Sequence, residues 1–209
     1  MRRPHSETLF IPGPAGPLEA RWDLPPHPRG PARAVLCHPH PLHGGTLSNK
    51  VVHTLALTLA EAGIPALRFN FRGVGKSAGE YDGGEGETQD LRAVIDHILA
   101  EAPGVEIWLG GFSFGAYVAL RGCRERSVAR LITVAPPVNL FDCRDLAPPP
   151  MPWLLIQGDA DEIVPCHAVL EWAEARPHPP QVVCLDGAGH FFHRRLHDLR
   201  QTLLAGWAA

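Results

Sequence analysis

The chain has 209 residues, 45% of them hydrophobic, which suits one folded domain with its own core. Lys and Arg number 19 against 22 Asp and Glu, a net charge of −3, and the arginines are scattered, which argues against nucleic acid or an anionic membrane as a partner. Glycine (21) and proline (22) are frequent but stay below roughly a quarter of the chain, where composition begins to signal disorder.

In chain order, residues 8–11 and 18–24 are β-prone runs around Pro12-Gly13-Pro14-Ala15-Gly16-Pro17, a segment that has to turn. They predict an N-terminal antiparallel hairpin. Residues 33–37 read as a buried strand and 49–62 as a helix, with Val51, Val52, Leu55, Ala56, Leu59 and Ala60 on one face and Gly63 and Pro65 stopping it. A strand at 66–71 and a helix at 88–102 follow. The alternation continues with a strand at 105–110, a helix at 114–123, strands at 128–135 and 153–157, a helix at 165–176 with proline in its first turn, and a strand at 181–185. A last helix, from about 193 to 207, shows Leu196, Leu199, Leu203 and Trp207 as its inward stripe. A hairpin followed by strand–helix repeats predicts an α/β fold. Its eight-stranded sheet is mostly parallel, covered by helices on both faces and antiparallel only at its N-terminal edge. Chemistry is then expected on loops at the carboxyl ends of the strands.

The five cysteines (Cys37, Cys123, Cys143, Cys166, Cys184) are an odd number, widely spaced and without a CxxC pair. Such a set suggests small reduced thiols and not a disulfide framework or a zinc site. The polar start MRRPHSETLF is unlike a signal peptide, and no run reaches 18 apolar residues, so a cytoplasmic chain with no membrane span is expected.

The chemistry concentrates at Gly111-Phe112-Ser113-Phe114-Gly115, a G-x-S-x-G pattern between a predicted strand and helix. A sharp strand-to-helix turn brings backbone so close that a Cβ at either glycine would clash, which leaves Ser113 at the tip. A serine hydroxyl needs a base, and the base an orienting carboxylate. Asp159 and Asp161 follow the strand at 153–157, and His190 follows the strand at 181–185, so both loops leave the sheet on the side of Ser113. His193 is a competing base. The order Ser, Asp, His is that of the α/β-hydrolases.

At this point the sequence resembles the α/β-hydrolase superfamily, and within it small bacterial hydrolases without a lid domain. The resemblance spans the chain through His38-Pro39-His40-Pro41-Leu42-His43-Gly44-Gly45, Arg68-Phe69-Asn70-Phe71-Arg72-Gly73-Val74-Gly75-Lys76-Ser77, and the motifs at 111–115, 158–165 and 187–190. It implies that the acid sits three residues before Val164-Pro165, which selects Asp161 over Asp159. It also implies an oxyanion hole from the backbone N–H of Phe114 and of a residue after the third strand, His40 or alternatively Leu42; Pro39 and Pro41 have no N–H to give. The implied activity is cleavage of small carboxylic esters or thioesters through an acyl-enzyme on Ser113, with no cofactor. An acyltransferase or perhydrolase with the same residues, or a non-catalytic binding protein on this fold, are the alternatives.

Gly73-Val74-Gly75-Lys76-Ser77 imitates a phosphate-binding loop, but Asn70 stands where the pattern needs glycine and no helix follows. His38, His40 and His43 suggest a shaped site floor more than a metal site, for want of a fitting carboxylate or cysteine. Residues 79–87, acidic and glycine-rich, read as a mobile solvated loop. Residues 136–152, with six prolines, are too few for a helical lid, which predicts an open site for short acyl groups. Phe114, Phe141, Trp153, Phe191 and Phe192 are candidates for its apolar wall or for the core.

Overall fold

Proline and glycine set the first turn of the chain. The computed structural model, which describes residues 3–207, folds β1 (His5–Gly13) and β2 (Gly16–Leu24) into an antiparallel hairpin. Gly13 pairs with Gly16, leaving Pro14 and Ala15 as a two-residue loop, and Gly16 takes φ +118°, which a side chain would resist. β1 is longer than its β-prone run because the ladder recruits His5, Ser6 and Glu7, which carry no apolar signal.

Strands and helices then alternate: β3 (Ala32–Cys37), α1 (Lys50–Glu61), β4 (Ala66–Phe69), α2 (Glu85–Glu101), β5 (Glu106–Phe112), α3 (Phe114–Gly122), β6 (Arg130–Val134), β7 (Trp153–Gly158), α4 (Cys166–Glu174), β8 (Gln181–Leu185) and α5 (Leu196–Trp207). A 3₁₀ turn, Pro41–His43, follows β3. Among the described residues eight strands form one sheet in the order β1-β2-β4-β3-β5-β6-β7-β8. β2 pairs antiparallel with β1 and β4, and the remaining neighbours are parallel.

Period-2 alternation splits the core across the sheet. Val35, Cys37, Leu131 and Leu155 pack with Leu91, Val94, Ile95 and Val118 of α2 and α3. Their neighbours Ala34, Leu36, Ile132, Leu154 and Ile156 pack with Val51, Leu55 and Leu59 of α1 and Leu199 and Leu203 of α5. The side chain of Trp207, the last of the predicted stripe, lies outside the described residues. No helix among the described residues is long and apolar enough to cross a membrane.

Several boundaries differ from the sequence expectation, each for a polar reason. β4 ends at Phe69: the Asn70 N–H still reaches the Glu19 carbonyl of β2 (2.8 Å), but the Phe71 N–H leaves the ladder and donates to His38 Nε2 (3.1 Å). α2 starts at Glu85 and not at 88, since the Glu87 carboxylate accepts from the N–H of Asp82 (2.9 Å) and Gly84 (2.7 Å) and caps the first turn. The segment 79–87 is thereby tied down, which corrects its reading as a free solvated loop. Pro165 is the N-cap of α4 and not its first helical residue. α5 begins three residues late because residues 190–195 form turns with Phe192 and Arg194 at positive φ (51° and 61°).

Candidate active site

Four loops leave the carboxyl ends of β3, β5, β7 and β8 and meet above the sheet. Ser113 sits between β5 and α3 with φ 52° and ψ −121°, a conformation worth about 1–3 kcal/mol of strain. The turn is held by the Ser113 N–H, which donates to the Val134 carbonyl at 2.9 Å. Both flanking glycines are required by space: a Cβ at Gly111 would lie 2.1 Å from the Gly115 carbonyl oxygen, and one at Gly115 would lie 2.2 Å from that of Cys37. Ser113 Oγ is 3.0 Å from His190 Nε2, and His190 Nδ1 is 2.8 Å from Asp161 Oδ2. All three residues are buried.

Asp161 is shaped by its own loop. Its Oδ1 accepts the N–H of Ile163 (2.9 Å) and Val164 (2.7 Å), and its Oδ2 accepts from Gln157 Nε2 (3.0 Å) as well as facing His190. Burial alone would push this carboxyl up, but His190 and the two backbone donors outweigh it and hold it below the ordinary carboxylate value. The runner-up, Asp159, is exposed and binds the Gly187 N–H (2.6 Å). Glu162 accepts the His190 N–H (3.1 Å), so two acids of this loop fasten the histidine loop by its backbone. His193 is exposed and packs on Phe191 at 5.9 Å between ring centroids.

The loop after β3 supplies the opposite wall. His38 is fully buried, its Nδ1 facing the Pro39 carbonyl (2.6 Å) and its Nε2 accepting the Phe71 N–H (3.1 Å). These contacts fix the neutral tautomer with the proton on Nδ1 and leave neither ring nitrogen for a metal. The His40 ring accepts the Leu42 N–H at Nδ1 (3.2 Å) and meets the Tyr81 hydroxyl at Nε2 (3.1 Å). Leu42 has thus spent its N–H on a side chain. Among the described residues the backbone N–H groups of His40 and Phe114 have no acceptor.

Burial lowers His38 to about 4, so it stays neutral in the fold while the unfolded chain takes up a proton near 6.5. The unfolded state therefore binds more protons between these values, and stability is lost as pH falls through that window, by roughly 3 kcal/mol from this residue. Urea melts between these two pH values should show the loss, and in His38→Gln the slope should flatten; an unchanged slope would assign it to other groups.

An open cleft of about 440 Å³ lies over Ser113 and His190, walled by His40, Phe114, Phe141 and Phe191, with no carboxylate, lysine or arginine among the described residues that line it. Phe192 and Trp153 are not in its lining: Phe192 is buried against Phe112, and Trp153, the first residue of β7, is buried with its indole N–H donated to Thr133 Oγ1 (2.9 Å). Residues 135–152, between β6 and β7, contain no helix or strand and leave the cleft uncovered. Gln157, Glu162 and Tyr81 support the site without having been singled out in the sequence. Only Gln157, at the strand end before the acidic loop, carried any signal.

Sheet order, strand-to-helix serine turn and uncovered cleft define a lidless α/β serine hydrolase. The chain belongs to the family described as serine aminopeptidase, S33 (Hydrolase_4), whose model matches residues 31–150. It is similar along nearly its whole length to a crystallised protein of Xanthomonas campestris, XC6422, described as an α/β serine hydrolase without lid. The two share 47% identity and a TM-score of 0.94, over 98% of this chain and 94% of that one. An α/β serine hydrolase homologue from Coxiella burnetii is 46% identical, with a TM-score of 0.92 over 95% of this chain and 96% of that one. The uncharacterized protein RP471 of Rickettsia prowazekii (strain Madrid E) is 35% identical over 205 residues, 93% of this chain and 86% of the relative.

Proposed function

We propose that the chain hydrolyses small carboxylic esters or thioesters with short acyl groups through an acyl-enzyme on Ser113. The observation that carries this reading is the hydrogen-bonded row Ser113–His190–Asp161, at 3.0 and 2.8 Å, opening on an uncharged cleft. Ser113 Oγ attacks the carbonyl carbon as His190 Nε2 takes its proton, and Asp161, held ionised, stabilises the imidazolium. The free N–H groups of Phe114 and His40 serve as the oxyanion donors, each worth roughly 3 kcal/mol in the transition state. Leu42 is the poorer choice because its N–H is already engaged. His190 returns the proton to the leaving group, then activates the water that releases the acid.

Removing a free amino terminus from a peptide would call for a carboxylate to hold the ammonium, and the cleft lining offers none. This favours an ester over the peptide substrate that the family's description names. A cleft without a lid also gives a long chain little to bury in. Hydrolysis of p-nitrophenyl esters from acetate to laurate should peak at the short end and fall roughly tenfold or more by laurate, with aminoacyl p-nitroanilides turned over more weakly still. A maximum at laurate, or preference for the anilides, would overturn the reading.

A further inference from the structure

Cys166 and Cys184 take no part in the Ser113 site, yet they flank it. Cys166 opens α4 five residues past Asp161, and Cys184 lies on β8 six residues before His190. Their sulfurs are 3.6 Å apart, with Cys184 exposed and Cys166 half-buried. The other three thiols are buried, and burial pushes Cys123 and Cys143 up to about 12 and Cys37 further in the same direction, which keeps them from forming thiolates. We propose that Cys166 and Cys184 form a thiol–disulfide site that reacts with a low-molecular-weight disulfide and closes into an intrachain bond between α4 and β8.

A disulfide needs its sulfurs about 2.05 Å apart, so the pair must approach by roughly 1.5 Å, a distance that side-chain rotation covers without moving the sheet. The exposed Cys184 reacts first: its thiolate attacks one sulfur of the small disulfide, a new S–S bond forms, and one small thiolate leaves. Cys166 then attacks the Cys184 sulfur, and the second small thiolate leaves. Both thiol protons end on the two departing thiols, so two electrons pass from the protein to the small disulfide. Burial and the Cys184 contact push Cys166 up to about 11, which makes it the poorer first attacker and leaves it the second, intramolecular step, where proximity offsets a small thiolate fraction. The closed bond spans residues 167–183, a loop whose cross-linking restricts the unfolded chain. It also ties the element that follows Asp161 to the strand that precedes His190.

The proposal does not depend on the ester reading and is tested without a substrate. The full chain is incubated with excess glutathione disulfide, its remaining thiols are alkylated, and its peptides are mapped by mass. Two alkylation sites should be lost together, a Cys166–Cys184 cross-linked peptide should appear, and Tm should rise by several degrees, all reversed by dithiothreitol. Cys166→Ser should halt at a glutathione adduct on Cys184. Both thiols remaining free in the wild-type chain would overturn the proposal, as would a persistent glutathione adduct on Cys184 or a cross-link between two chains. An unchanged or lower Tm after clean closure would overturn the stapling role.

Discussion

Ser113→Ala is expected to lower kcat/KM for a short p-nitrophenyl ester by roughly 10⁴-fold or more while leaving the fold intact. The size of the effect follows from the contacts: Ser113 Oγ is the hydroxyl against His190 Nε2, and it stands at the floor of the cleft. The remaining N–H donors of Phe114 and His40 can still polarise a bound carbonyl, so the residual rate should exceed that in water. Folding should survive because the positive φ of this turn does not require a hydroxyl. Alanine already occupies a positive φ at Ala135 (46°), held like Ser113 by an N–H bond to the neighbouring strand. The checks are steady-state kinetics, labelling by a fluorophosphonate and a thermal melt. Loss of both activity and label at unchanged Tm supports the acyl-enzyme. Full activity in the variant would move the chemistry elsewhere and favour the binding-protein alternative for this cleft.

What could be read from the sequence follows from how local the deciding physics is. The serine turn was legible because one of its glycines, Gly111, is demanded by backbone inside the pattern itself, although the demand on Gly115 comes from a distant strand. Gly111 meets Gly115, and Gly115 meets the end of β3. The Asp161 loop was legible because the acid's amide donors, Ile163 and Val164, come from the same loop. His190 could be picked from 12 histidines since it directly follows the last strand. What escaped the sequence depends on long-range pairing or on irregular backbone. Tyr81 reaches His40 across 41 residues, and nothing in a glycine-rich acidic stretch announces it. Phe191 and Phe192 are adjacent and chemically alike, yet one lines the cleft while the other enters the core, because Phe192 adopts positive φ in a turn that has no period to read. The closeness of Cys166 and Cys184 likewise arises only when β8 pairs with β7.

Asp161→Asn should cut kcat by roughly 10⁴-fold with KM little changed, although the substitution barely alters shape. In the native site Oδ1 is committed to two backbone donors, Ile163 and Val164, so the carboxamide oxygen of the variant will take that position. Its NH₂ group is then left at the Oδ2 position, facing His190 Nδ1 and Gln157 Nε2. Donating to Nδ1 forces the imidazole proton onto Nε2, where it points at Ser113 and cannot accept the hydroxyl proton. Against Gln157 the same group sets donor against donor. Asp159→Asn removes only the bond to the Gly187 N–H and should leave kcat within a few-fold. The pH dependence carries the same signature. Asp161 is held below its ordinary value of 3.8, so its charge contributes stability at higher pH that is lost as pH falls through the folded value. The Tm gap between the wild-type chain and Asp161→Asn should therefore be widest near neutrality and close in acid. A gap that widens in acid, or a variant with near-native kcat, would show that Asp161 does not orient the base.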